Sequence, residues 1–141
     1  MQWLVNRNKI AVYGFVIMPN HLHFLWEMLN KNGKEMPHAS FNKWTASRFL
    51  KDIRINHPQV ILYFEEKSDG RAHRFWQNDP KAILMDSRKK FEQKLDYIHN
   101  NPLHERWNLA ITPEEYRWSS ANFYRMDKDE FGILTHYMDG F

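Results

Sequence analysis

Cysteine is absent from the 141-residue chain, which excludes disulfides and thiolate metal sites. No apolar run approaches the ~20 residues needed to span a bilayer, and the opening MQWLVNRNK lacks the apolar stretch of a secretory signal. With five glycines and six prolines, flexible or extended linkers have little to be built from, and no repeat or low-complexity tract interrupts the chain. These absences point to a cytoplasmic protein without a membrane partner. The length suits one domain, and 43% hydrophobic with 26% charged residues is ordinary globular composition.

Charge of one sign is in small surplus, +3 overall, but it is unevenly spread. Residues 1–58 hold eight Lys/Arg against three Asp/Glu, whereas residues 107–141 hold three against six. A polyanion would be drawn to the basic part by Coulomb attraction, although a surplus of this size also occurs on surfaces that bind nothing. Aromatic residues reach 16%, with six Trp, enough to fill a core and to stack on bases.

KIAVYGFVI (9–17) and HLHFLWEM (21–28) are β-rich and joined by a Pro19-Asn20 turn signal, which predicts an antiparallel hairpin. Side chains alternate along a strand, so Leu22, Phe24, Trp26 and Met28 share one strongly apolar face, expected to be the packed one. His21 and His23 begin the other face, roughly 7 Å apart along the strand and pointing the same way. Two such imidazoles suit one metal ion, but they are equally compatible with packing or surface histidines. After a polar loop (30–40), Ser40 is expected to cap a helix to about Ile55, with Phe41, Trp44, Phe49, Leu50 and Ile53 as its apolar stripe. Residues 59–66 read as a strand or extended segment, 67–72 as a turn, and 73–77 and 81–85 as short strands around Asn78-Asp79-Pro80. Ser87 then caps a helix ending near Asn101, before Pro102, and a short helix is expected at 113–117.

On that helix, at about 100° per residue, Phe91, Leu95 and Ile98 form one stripe, and Tyr97 lies well off it. Asn101 follows Tyr97 by one turn, which sets their Cβ atoms ~6 Å apart, and Lys90 and Lys94 fall on the same side. A hydroxyl and a carboxamide so placed can address one object. If that object is a divalent cation, two neutral imidazoles and a carboxamide oxygen form a neutral ligand set, and Mg2+ or Mn2+ would keep its remaining positions for water and phosphate oxygens. His99 and His104 read as structural or surface residues.

These residues carry a resemblance. YGFVIMPNHLHFLWEM (13–28) resembles the HUH motif region of single-tyrosine HUH transposases, especially the REP-associated tyrosine transposases, in which a hydrophobic residue separates two metal-binding histidines. KKFEQKLDYIHNNPLHERWNLAITPEEYRWSSANFY (89–124) resembles their second signature, a Tyr-Ile-His-x-Asn-Pro segment carrying the nucleophilic tyrosine and followed by Trp-Ser-Ser. The two motifs occur in the family's order and span most of the chain. The resemblance implies an α+β, ferredoxin-like fold, with helices on one face of an antiparallel sheet. It also implies that His21 and His23 hold Mg2+ or Mn2+, that Asn101 completes the metal site, and that Tyr97 is the catalytic nucleophile. In such an enzyme Tyr97 would attack single-stranded or hairpin DNA, leaving a 5′-phosphotyrosine and a free 3′-hydroxyl that can later rejoin, as in transposition of REP-type elements. Lys90 and Lys94 would bind the DNA, and the setting would be the bacterial cytoplasm, at the nucleoid.

A free tyrosine, with a pKa near 10, is phenolate in roughly one molecule per thousand at neutral pH, so the chemistry needs the metal's Lewis acidity. The chain departs from the family in one respect. Family members begin with a further strand and most of a helix, and Met1 stands where that helix would end, so the expected sheet lacks its first strand unless a second copy supplies one in a homodimer. Two other readings remain open at this point: a non-catalytic nucleic-acid binder that keeps the fold, and a small protein whose histidines bind zinc structurally.

Overall fold

A computed structural model of the chain describes residues 1–65, 73–77 and 83–139. The class is α+β, and the chain forms two compact units, Met1–Lys31 with Leu84–Phe141, and Asn32–Ile83. No helix among the described residues is long and apolar enough to cross a membrane.

The first unit is built around a hairpin. A short helix α1 (Gln2–Asn6) leads into β1 (Ile10–Ile17), which pairs antiparallel with β2 (Leu22–Met28). The turn is closed by the Met18 N–H donating to the His21 carbonyl at 2.8 Å. β1 is the buried strand, and its second edge is covered by short backbone segments rather than by a full strand. The Ile17 N–H donates to the Trp118 carbonyl, the Ser120 N–H to the Phe15 carbonyl, and the Thr135 N–H to the Val12 carbonyl, each within 2.9 Å. Thus the ladder itself has two strands among the described residues, while the polar backbone of β1 is satisfied on both sides.

Helix α3 (Arg88–Asn100) packs on one face of this hairpin. Ser87 caps it as expected, its hydroxyl accepting from the Lys90 N–H, and the expected stripe Phe91, Leu95 and Ile98 is buried. Together with Tyr13, Val16, Met18 and Leu25 it forms the core. The face on which α3 sits is the reverse of the expected one. Leu25, on the histidine side of β2, is that strand's buried residue, whereas Phe24 and Trp26 are half-buried and stacked on each other at 5.3 Å. The reason lies across the ladder: Leu25 pairs with Gly14, and a Cβ on Gly14 would stand 2.6 Å from Leu95 Cδ1. A missing side chain on β1, not apolar content on β2, admits the helix.

The segment after α3 ties the two layers together. Ser120, 1% exposed, accepts the Phe15 N–H on its hydroxyl at 2.9 Å and hydrogen-bonds His99 Nε2 at 2.8 Å. The Trp-Ser-Ser segment therefore clasps β1 to α3. A 3-10 turn at Pro113–Glu115 replaces the short helix expected at 113–117, and α4 (Ala121–Met126) follows Ser120.

In the second unit, α2 (Pro37–Asn56) begins three residues before Ser40, because Pro37 pre-sets the helical φ at the first position. Ser40 instead hydrogen-bonds Asn32 and Glu35. Within the expected stripe Trp44 is 58% exposed, lying beneath the Arg48 guanidinium. Of the stretch 59–66, the described residues form no strand: Pro58–Phe64 is a 3-10 helix, since β-rich composition yields a strand only beside a ladder partner. Residues 73–77 make one bridge, His73 to Glu65, and 83–85 have no regular structure. The expected turn at 67–72 and Asn78-Asp79-Pro80 lie outside the described residues.

Candidate active site

Because α3 packs on the histidine side of the hairpin, it brings Tyr97 against the histidine pair. The His21 and His23 rings lie edge to face with centroids 5.2 Å apart, and the Tyr97 ring stands 5.9 Å from that of His23. Tyr97 is 53% exposed, as its position off the Phe91-Leu95-Ile98 stripe requires. The other tyrosines differ. Tyr13 and Tyr124 are pushed up to about 12, in both cases chiefly by burial, with the Glu27 carboxylate adding to it at Tyr13. Tyr63 is exposed but belongs to the other compact unit.

His21 Nδ1 lies 2.7 Å from Asn20 Oδ1, and a carboxamide oxygen only accepts, so Nδ1 carries a proton and Nε2 is the nitrogen that could meet a metal. Burial lowers the His23 pKa below the ordinary imidazole value, with the positive potential of His21 and Lys94 adding to the effect. At neutral pH His23 is therefore uncharged, the form that binds metals. Two rings at this separation fit convergence on one ion at metal–nitrogen distances of about 2.1 Å.

Asn101, at the end of α3, is half-buried, and its Nδ2 is buried with no hydrogen-bond partner. Turning the amide by half a rotation puts Oδ1 at that position, an acceptor that a divalent cation would satisfy. Among the described residues no three His, Asp or Glu side chains group to hold a metal. With the two imidazoles, such an oxygen would make a neutral donor set that suits Mg2+ or Mn2+, with several positions left to water and phosphate.

Of the two lysines, the structure brings one to the site. Lys94 Nζ lies over the Tyr97 ring at 4.1 Å, whereas Lys90 is ion-paired with Asp86 at 2.8 Å. Two further residues escaped sequence reading. Asn20, read as a turn residue, also orients His21. The Trp107 ring lies 5.6 Å from that of His21; its signal in the sequence was only an aromatic residue six positions after Asn101, and no periodicity connects those segments.

Comparison of the chain with protein-family models, curated proteins and solved structures finds no match. The case for a function rests on the residues and their geometry.

Proposed function

We propose that the protein is a metal-dependent single-tyrosine nuclease and strand-transferase of the HUH class, like the REP-associated transposases it resembles, acting on single-stranded or hairpin DNA. The observation that carries this reading is the meeting of Tyr97 with His21 and His23. A half-exposed tyrosine beside two imidazoles, contributed by elements some seventy positions apart in the chain, has no packing role that accounts for it. On this reading the hairpin and α3 are the part of a ferredoxin-like core that carries the chemistry.

His21, His23 and Asn101 would hold Mg2+ or Mn2+, which supplies Lewis acidity at the scissile phosphate. Tyr97 Oη attacks the phosphorus in line with the 3′-oxygen. The Oη–P bond forms as the P–O3′ bond breaks, the phenolic proton leaves to solvent, and the 3′-oxygen ends as a hydroxyl. The phosphotyrosine conserves the energy of the broken diester, so attack by a 3′-hydroxyl reverses the step and rejoins a strand. Lys94 draws the phosphate toward Tyr97 and offsets the negative charge that develops during attack.

The test is incubation with Mg2+ or Mn2+ and a hairpin DNA labelled on the 3′ side of the nick. A labelled protein band that survives denaturing electrophoresis is expected, and Tyr97→Phe should remove it while Tyr63→Phe, Tyr116→Phe and Tyr124→Phe keep it. Salt-sensitive binding without an adduct would instead favour the non-catalytic binder. Metal-dependent folding without DNA affinity would favour structural zinc.

A further inference from the structure

Five exposed arginines and lysines of the described residues are held by carboxylates: Lys43 by Glu35, Arg88 by Glu92, Lys90 by Asp86, Arg117 by Glu130 and Arg125 by Glu114. Two cations beside the histidine pair have no such partner among the described residues, and each lies over an aromatic ring. Lys94 covers Tyr97, which touches His23. On the other side of the pair, the Arg106 guanidinium lies 5.1 Å from the centroid of the Trp107 ring, which touches His21. The two histidines are thus flanked at both ends by an aromatic ring carrying an uncompensated positive charge.

We propose that Arg106 and Trp107 form a nucleotide subsite, in which the base next to the scissile phosphate stacks on the indole and Arg106 binds the adjoining phosphate; this rests on the reading of Tyr97 as a DNA nucleophile. The chemistry favours one occupant. An indole with a free cation beside it suits a ligand that alternates a flat π-face with an anion, and a single-stranded nucleic acid does so at every residue. Duplex DNA hides its base faces and could use only the charge. Trp107 is half-buried against the core and Arg106 is exposed, so the ring is fixed in place while the guanidinium is free to turn from the indole to a phosphate. The Arg117–Trp118 pair is built alike, but Glu130 already neutralises its arginine, and it serves as the internal control. On this arrangement the strand runs from the Trp107 side across the histidines to Tyr97 and Lys94, which fixes the phosphate at the metal between two nucleotide contacts.

The test is a fluorescence-anisotropy titration of a labelled oligothymidylate about twelve nucleotides long, repeated with oligomers that each carry one abasic site. Trp107→Leu keeps an apolar side chain on the core but removes the π-face, and should weaken binding about tenfold. One abasic position that weakens binding to the intact protein should lose its effect in that variant, a coupling that a purely packing role for Trp107 would not produce. Arg106→Gln, at an exposed position, should lower the log–log salt slope by about one, and Arg117→Gln should leave it unchanged. If the intact protein binds the oligomer and forms the Tyr97 adduct, yet Trp107→Leu shows the same abasic profile and Arg106→Gln the same slope, the subsite is wrong and the nuclease reading stands. If the intact protein does not bind single strands at all, both are wrong.

Discussion

His99 and His23 are the same side chain, yet their environments give them opposite tasks. His99 is a buried residue of α3, hydrogen-bonded to Ser120, and burial pushes its pKa down to about 4. In the unfolded chain it would titrate near 6.5. Between these values the unfolded state binds a proton that the folded state refuses, so stability is complete above about pH 6.5 and declines as pH falls toward 4, by up to about 1.4 kcal/mol per pH unit for this group. Urea denaturation across that range should show the decline, and His99→Gln should flatten it at the cost of lower stability at neutral pH. His21 and His23 are half-buried at the rim of the helix-bearing face. His21→Ala or His23→Ala should abolish adduct formation and shift the melting temperature by only a few degrees, because neither is part of the buried cluster. A collapse of the near-UV spectrum in either variant would make them core residues. Asn101→Ala should raise the metal concentration needed for activity without eliminating it, since water can take the place of one neutral ligand.

The hairpin and α3 are the elements on which the site depends, and they were also the most legible in the sequence. Alternation between Pro-Asn and Glu27, the Ser87 cap, and the Phe91-Leu95-Ile98 spacing each encode local geometry that needs no distant partner. What the pattern could not reveal was which face of β2 the helix would choose. The apolar weight of Leu22, Phe24, Trp26 and Met28 argues for one face, while packing on the other is decided by Gly14, a residue on the neighbouring strand whose importance is visible only once Leu25 stands opposite it. The strand expected at 59–66 failed for a related reason: β-rich composition is realised only beside a partner strand, and none lies there among the described residues. Gly14→Ala therefore tests the element directly. Its methyl group would meet Leu95, and overpacking of this kind costs typically 1–3 kcal/mol, measurable as a lower urea midpoint. The same substitution should reduce adduct formation more than global stability alone explains, because any outward shift of α3 carries Tyr97 away from His23.

For the molecule as a whole, charge and site belong together. The basic surplus of residues 1–58 is a weak signal by itself; at the site the sharper one is pairing, since Lys90 is committed to Asp86 while Lys94 remains available at Tyr97. DNA affinity should accordingly fall steeply with salt, with Lys94→Ala lowering the log–log slope by about one and Lys90→Ala changing it little. Equal effects of both substitutions would return Lys94 to the solvated surface. The central claim, that Tyr97 joins covalently to DNA, is tested most directly by peptide mapping. The metal-loaded protein is reacted with hairpin DNA, trimmed with nuclease, digested with trypsin and analysed by mass spectrometry. Cleavage after Lys94 and Arg106 isolates a peptide in which Tyr97 is the one tyrosine. The account predicts a nucleotide 5′-phosphate on that peptide, at Tyr97; a nucleotide on the peptide holding Tyr63 or Tyr116, or on none while the DNA is nevertheless cut, would contradict it.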